Sequence, residues 1–312
     1  MKPFLVVNPR SAHGGTARHF DSIAQAVRAS IGECEHAFTE RALHASELTR
    51  EALRAGHPLI VAVGGDGTIN EVVNGFFEPA APGEPARKVS PTAALAVLPR
   101  GTGGDLRRSI GLDGDLARSA ARLRGTAGPV DVGRVDYTSD RGTRETRYFI
   151  NVAEVGVGAR VVEIANRSSK ALGGKLTFML ASLRALAGWR DLRIAASFDG
   201  AAAEELSVTT LAVANGRYFG GGMMVAPEAL LDDGRFHVTI WSGYGLSDFV
   251  LKSGSMYDGS HVKLKGTRTR TARTVEVTCA APGAAGVEVD GERIGTLPAT
   301  FSLLPAALHL VR

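Results

Sequence analysis

The sequence predicts an α/β protein in two parts. A doubly wound parallel-sheet domain spans residues 1–129, and a mainly antiparallel β-sandwich domain spans residues 130–312, with a cleft between them. Three observations carry this expectation. Through the first 130 residues short apolar runs alternate with segments of helical spacing, the pattern of parallel strands joined by helical crossovers. After "GTAGP" strand-like segments dominate, several of them alternating apolar with polar residues as strands with one wet face do. Two first-half strands run into glycine turns that open helices, in "LIVAVGGDGTINEVVNGF" and "LAVLPRGTGGDLRRSIG". At 312 residues the chain is long for one core and comfortable for two.

Taken in order, "FLVVNP" is a strand entering a turn, "TARHFDSIAQAVRAS" a helix and "CEHAFTE" a second strand. "SELTREALRAG" reads as a helix capped by Ser46 and ended by Gly56. "LIVAV", the helix "INEVVNGFF" and the strand "AALAVLP" follow, with the Pro- and Gly-rich "EPAAPGEPARKVSP" as an exposed loop. The second part reads as strands from "VDVGRVDY" to "GVEVDG", interrupted by one long helix at about residues 168–190.

Bulk properties exclude more than they identify. Apolar content of 44% and charged content of 22% are those of a soluble globular enzyme. No secretory signal is expected, since Lys2 precedes only "FLVV" before "NPR". The longest apolar stretch, "LTFMLASLRALAGW", carries Arg184 and is too short to span a bilayer. Cys34 and Cys279 have neither disulfide-framework nor zinc-ligand spacing, which favours a reducing, cytoplasmic setting. The net charge of +4 is modest, with an arginine-rich composition its leading explanation and attraction to anionic lipid or nucleotide the second. Nothing points to nucleic acid.

The chemistry lies in the turns. Gly64, Gly65 and Gly67 let the backbone bend tightly and approach a ligand, and Thr68–Asn70 open a helix whose free N–H groups favour phosphate. Neither a Walker loop nor a Rossmann fingerprint is present. "LPRGTGGDLRRS" repeats the plan with Thr102 in the turn and Asp105 at a helix start, where an N-cap is the plain reading. "VVNPRSAHGG" adds Asn8 and Ser11 at the end of the first strand. Three such loops face one edge of an open α/β sheet, where ligands bind.

These motifs resemble those of the bacterial lipid kinases of the diacylglycerol kinase catalytic family, relatives of sphingosine and ceramide kinases. "NPRSAHGG", "GGDGTINEVVNG" and "LPRGTGGDLRRS" stand where that family has its NPxSG-type, nucleotide-loop and PxGTxND motifs. "DVGRV", "FINVAEVGVGARV", "NGRYFGGGMMVAPEALLDDGRFHV" and "VEVDGERIGTLPATFSLLPAALHLV" continue the match in order. "GGDGT" alone is shared with NAD kinases and, more loosely, phosphofructokinases, whose fold the first domain is expected to have. Gly104 departs from the family's asparagine and Ala12 from its glycine.

The resemblance implies that Asn8, Ser11, Thr39, Gly64, Gly65, Asp66, Gly67, Thr68, Ile69, Asn70 and Thr102 line an ATP site. It implies a Mg2+ site in "PEALLDDGRF", where Asp233 gives its side chain while Leu230 and Arg235 give main-chain oxygens. From the residues alone, "LDDG" is an ordinary turn. "VEVDGERIG" reads as a hairpin with Asp290-Gly291 in its turn, and the resemblance places its carboxylates across the cleft from the nucleotide loop. Glu292 or Asp290 would then take the proton of a lipid hydroxyl. Asp66, which would repel a bare triphosphate, is explained by a bound magnesium that reverses the local field.

The expected function is therefore transfer of the γ-phosphate of ATP, with Mg2+, to a lipid hydroxyl, as a step of phospholipid metabolism. Diacylglycerol leads among acceptors, ahead of a ceramide or sphingoid base and phosphatidylglycerol. A kinase of a soluble acceptor such as NAD, or a weakened nucleotide or lipid sensor suggested by Gly104, are the alternatives. The partners expected are a membrane lipid and the anionic inner surface of the membrane, with a homodimer open. Contact would run through the stretch containing Lys170, Lys175, Arg184 and Arg190, or through the basic run "HVKLKGTRTRTART".

Overall fold

The computed structural model describes residues 2–101, 103–167, 174–279 and 285–312. The first part contains β1 (Phe4–Val7), α1 (Gly15–Arg18), α2 (Phe20–Ile31), β2 (Glu35–Phe38), α3 (His44–Arg54), β3 (Leu59–Gly64), α4 (Asp66–Gly75), β4 (Ala94–Pro99), α5 (Asp105–Ser109) and α6 (Leu116–Arg122). The four strands are parallel in the order β2-β1-β3-β4. Their apolar residues alternate between two covered faces, which makes the sheet doubly wound. Leu5, Val7, Val61 and Val63 pack with Ile23 and Val27 of α2, whereas Val6, Ile60 and Ala62 pack with Leu53 of α3 and Val72 and Val73 of α4. Rotating α2 would bring Ile23 and Val27 into water, at about 1.5–3 kcal/mol each.

Two cap expectations are corrected. Helix α3 begins at His44 behind Leu43, and the Ser46 hydroxyl sits inside it, donating to Glu71 O at 2.7 Å. Ser46 thus ties α3 to α4. Gly56, at φ +90°, does follow the end of α3. At α5 the capping position is Gly104, and Asp105 is the first helical residue.

The second part contains β5 (Ala127–Ser139), β6 (Arg144–Phe149), β7 (Val152–Gly156), α7 (Val157–Arg167), α8 (Gly174–Leu186), β8 (Leu192–Phe198), β9 (Glu204–Val208) and β10 (Thr210–Ala214). After these come β11 (Phe236–Trp241), α9 (Leu246–Asp258), β12 (Thr267–Ala272), β13 (Thr274–Cys279), β14 (Gly286–Val289) and β15 (Glu292–Val311). Its strands pair antiparallel around a core that includes Phe149, Phe236 and Phe301. Among the described residues three α-helices, α7, α8 and α9, stand where a single helix was expected. Gly156, at φ +133°, breaks β7, and the valines that follow at 157 and 161 share a helical face rather than a strand face. Residues 168–173, the start of the expected helix, lie outside the described residues.

The long strand β15 binds the two halves together. It pairs antiparallel with β5, β13 and β14, and near its end His309 and Leu310 pair parallel with Ala94 and Leu95 of β4. Register shifts between Thr296 and Thr300 and between Leu304 and Leu308 interrupt its pairing with β5 and let it run on from the second half to β4 of the first. The hairpin turn preceding β15 is thereby fixed relative to the turns that follow β1, β3 and β4.

Candidate active site

Between the halves lies a cleft of about 510 Å3, large enough for a nucleotide and part of an acceptor. One wall is made by the turns after β1, β3 and β4, the other by the β14–β15 turn, α7, α8 and the Phe219–Gly221 loop. The β3 and β4 turns touch: a side-chain carbon on Gly101 would lie 2.5 Å from the Gly65 Cα. Only glycine permits this approach. Asn8 donates to the Thr68 hydroxyl at 2.9 Å, which joins the β1 turn to α4. Ser11 Oγ donates to Asn8 O at 2.9 Å and meets Thr16 Oγ1 at 2.6 Å. The N-terminus of α4 faces the cleft through Asp66, Gly67 and Thr68.

Asp66 is held by the neighbouring turn. Its Oδ2 accepts from Gly104 N at 2.7 Å and its Oδ1 from Leu106 N at 3.3 Å, so this carboxylate caps α5. Gly104 has φ +68°, a conformation that glycine adopts freely and asparagine tolerates better than most residues. The family's asparagine is therefore replaced without loss of backbone shape, and only its amide is gone. Asp105 accepts from Gly221 N at 2.9 Å and from Arg108 at 3.2 Å. Burial, with Asp66 nearby, pushes its carboxyl up to about 6.

Across the cleft, Asp290 and Gly291 have φ of +47° and +89°, as a two-residue turn of type I′ requires, and the expected hairpin is present. The two acids of this hairpin differ sharply. Asp290 is buried and accepts from Asn70 Nδ2 at 2.8 Å and from the N–H groups of Ile150, Asn151 and Val152 at 3.1, 3.0 and 3.0 Å. Burial raises its carboxyl and these donors oppose the rise. Glu292 is half-buried and lies over the glycine turn: a side-chain carbon on Gly67 would sit 2.8 Å from Glu292 Oε1. Its Oε2 accepts from Arg147 at 3.0 Å. Burial raises the Glu292 carboxyl, and Arg147 lowers it.

The remaining expected residues divide clearly. Gly65, Asp66, Gly67, Thr68, Ile69, Asn8 and Ser11 border the cleft. Gly64 lies beneath Thr68, whose Cβ would be 2.5 Å from an added carbon. Asn70 is fully buried, and its amide is committed to Asp290, Tyr148 O and Arg147, so it braces the two halves. Thr39 follows β2, with its N–H on Val7 O at 2.8 Å, away from the cleft wall. Thr102 lies outside the described residues.

Asp233 sits in the turn before β11. Its Oδ1 accepts from Arg235 N at 3.2 Å and its Oδ2 meets His237 Nε2 at 2.8 Å, while Leu230 is exposed. Oxygen ligands would suit magnesium. The Asp233 carboxylate is shared with His237, and no chemistry is derived from the turn. Among the described residues no group of three or more His, Cys, Asp or Glu is arranged to hold a metal.

Arg147, Glu154 and Glu288 are additions that sequence reading missed. Arg147 carries no local signal. Glu154, a lone acid in the apolar run "FINVAEVGVG", was visible as an oddity. Glu288 has the spacing of a solvent-facing residue, yet it is only 5% exposed.

Comparison with known proteins agrees with this geometry. Residues 2–135 match the diacylglycerol kinase catalytic domain, and residues 151–312 match the YegS C-terminal NAD kinase beta sandwich-like domain. The chain is 28% identical to a diacylglycerol kinase of Bacillus subtilis (strain 168), over 98% of this chain and 95% of that one. It is 30% identical to a protein of Klebsiella pneumoniae (strain 342) named "Probable lipid kinase YegS-like", over 83% and 79%. A crystal structure of a diacylglycerol kinase from Bacillus anthracis str. Sterne superposes with a TM-score of 0.70 at 21% identity, covering 99% of this chain and 96% of that one. An ATP complex of an NAD kinase from Archaeoglobus fulgidus superposes with a TM-score of 0.51 at 13% identity, covering 99% and 93%. With both halves matched, in order and nearly end to end, the chain belongs to the diacylglycerol kinase catalytic-domain family of bacterial lipid kinases.

Proposed function

We propose that this protein transfers the γ-phosphate of ATP to the hydroxyl of a membrane lipid, with Glu292 as general base. The observation that carries the reading is the contact of the Glu292 carboxyl with Gly67, across the cleft from the capped and glycine-lined turns. A phosphate bound at the N-terminus of α4 would be met there by a carboxylate at hydroxyl distance. The alcohol oxygen forms a bond to the γ-phosphorus, the bond to the β–γ bridging oxygen breaks, and the alcohol proton passes to Glu292. Magnesium, when bound with the triphosphate, supplies positive charge beside the hard oxygens of Asp66 and Asp105.

Diacylglycerol is the acceptor that the relatives' names favour, with a ceramide or sphingoid base and phosphatidylglycerol behind it. No helix among the described residues is long and apolar enough to cross a membrane. Leu176 and Met179 on α8 and Leu246, Val250 and Leu251 on α9 are exposed, Leu251 by 84%, which supports peripheral contact with a bilayer by these two neighbouring helices. Arg268 and Arg270 of the basic run are paired with Glu204, which weakens the case for β12 as the anionic-lipid face. The deciding experiment incubates the protein with labelled ATP, magnesium and mixed vesicles of the candidate lipids, and identifies the labelled product. A phospholipid product is expected; label on NAD with none on lipid would overturn the reading.

A further inference from the structure

Only Ile150 and Asn151 separate β6 from β7, and Asn151 is where three parts of the cleft meet. It borders the cleft and is 5% exposed. Its main-chain N–H donates to Asp290 Oδ1 at 3.0 Å, which ties it to the hairpin that carries Glu292. Its carbonyl accepts from Asn215 N and Gly216 N, both at 2.8 Å, and its Nδ2 donates to Tyr218 O at 2.6 Å. These bonds hold the loop that runs on to Phe219, Gly220 and Gly221 in the cleft wall. Its Oδ1 accepts from Ser109 Oγ at 3.1 Å, and Ser109 is the last residue of α5, the helix that Asp66 caps.

The chemistry of the amide leaves one arrangement. Tyr218 O can only accept, so Nδ2 must face it and Oδ1 must face Ser109. The Ser109 hydroxyl accepts from Arg217 N at 3.2 Å, and its one proton has Asp105 O, at 3.3 Å, as a longer alternative to Asn151. Gly216 makes room for the contact: a side-chain carbon there would collide with Asn151 Oδ1 and lie 2.9 Å from Ser109 Oγ. An aspartate at 151 would set a second acceptor against Tyr218 O, and an alanine would reach neither partner. Asn70 joins α4 to the Glu292 hairpin, and the Ser109–Asn151 bond joins α5 to it. In-line transfer needs the nucleotide, the base and the acceptor held in one alignment. A shift of about 1 Å in a group remote from the chemistry costs on the order of 10²-fold in rate.

We propose that Asn151 is a positioning residue for the transfer, and that its hydrogen bond from Ser109 sets the nucleotide turn, the Glu292 hairpin and the Tyr218–Gly221 loop in one alignment. The proposal rests on the kinase reading and adds two residues to it. Both act through their neighbours and not on the reacting atoms: Asn151 through Asp290 and Tyr218, Ser109 through Asn151.

The test measures kcat and the KM for ATP with labelled ATP, magnesium and mixed micelles carrying diacylglycerol, a ceramide and phosphatidylglycerol. Ser109→Ala is expected to keep its KM for ATP within about twofold and to lose about tenfold in kcat. Ser109→Thr, which keeps the hydroxyl, should restore kcat to within about threefold of the unaltered protein. Asn151→Leu should lose on the order of 10²-fold in kcat. Because Ser109 acts through Asn151, adding Ser109→Ala to Asn151→Leu should cost less than about twofold more. Melting temperature reports whether each variant is folded, and if Asn151→Leu is not, the two Ser109 variants decide. A kcat for Ser109→Ala within about twofold of the unaltered protein, no recovery in Ser109→Thr, or fully multiplicative losses in the double variant would overturn the positioning role. Each of these leaves the kinase reading intact. No label on any lipid with the unaltered protein would instead overturn the kinase reading, and this inference with it.

Discussion

Asp290 and Asn70, which are 220 positions apart, are joined by a 2.8 Å hydrogen bond between their buried side chains. The bond makes Asp290 a brace. Its carboxyl faces donors from the amide of α4 and from three successive main-chain N–H groups, and it holds the β14–β15 turn against both halves. Glu292, two residues on, is left beside the phosphate turn with one oxygen on Arg147. Glu292→Gln is therefore expected to keep its melting temperature and lose about 10²–10⁴-fold in kcat. Asp290→Ala should be destabilised by at least about 3 kcal/mol, because it leaves several buried donors without an acceptor. Denaturant titration with turnover assays separates the two, and a stable but inactive Asp290→Ala would reverse the assignment.

On the proposed reading, Arg147 tunes the base Glu292. Burial raises the Glu292 carboxyl above its ordinary value, and the Arg147 guanidinium is the first opposing influence. The base works only when ionised, so activity falls as pH drops through this raised pKa. Removing the guanidinium raises it further. In Arg147→Met the acid limb of the kcat profile should move to higher pH, with at least about a threefold loss at the acidic end relative to the alkaline plateau. An unmoved limb would mean that another group titrates there.

Asp66 caps α5 and, on the proposed reading, also serves the transfer, and one pair of substitutions separates the two. The carboxylate caps α5 through Gly104 N and Leu106 N, so Asp66→Ala should cost about 1 kcal/mol of stability as well as transfer. Asp66→Asn keeps an acceptor for one of these N–H groups and loses the charge. It should recover most of the stability and little of the activity. If Asp66→Asn turned over like the unaltered protein, the carboxylate would be a cap and nothing more.

These distinctions mark where the sequence stops being informative. The glycine turns, the parallel strands and the Asp-Gly hairpin were legible because each is a local pattern with one steric solution: Gly65 and Gly101 must lack side chains to touch, and Asp290-Gly291 must bend left-handed. Helix α7 was not legible, because its valines have strand propensity and only the packing of Val157 and Val161 against α8 residues such as Ala181 and Ala185 selects the helix. Asp290 and Glu292 had equal claims as base because both sit at one hairpin. Asn70 and Arg147, which separate their roles, come from elements 220 and 145 residues away. Ser46 looked like a cap because capping is a local rule, and its partner Glu71 is not local.

The β1 turn carries a strain that the rest of the site does not need. Ala12 has φ +52° and His13 φ +55°, so two consecutive residues with side chains are held in the left-handed region. For an ordinary residue that conformation costs roughly 1–2 kcal/mol, whereas for glycine it costs almost nothing. Glycine in turn loses more freedom on folding, by about 0.5–1 kcal/mol. The balance favours Ala12→Gly, which should stabilise the folded protein by up to about 1 kcal/mol in urea titration. Because Arg10, Ser11 and His13 border the cleft, the relaxed turn should also alter KM for ATP more than kcat. A variant less stable than the parent would show that the turn gains more from the alanine methyl than its backbone loses.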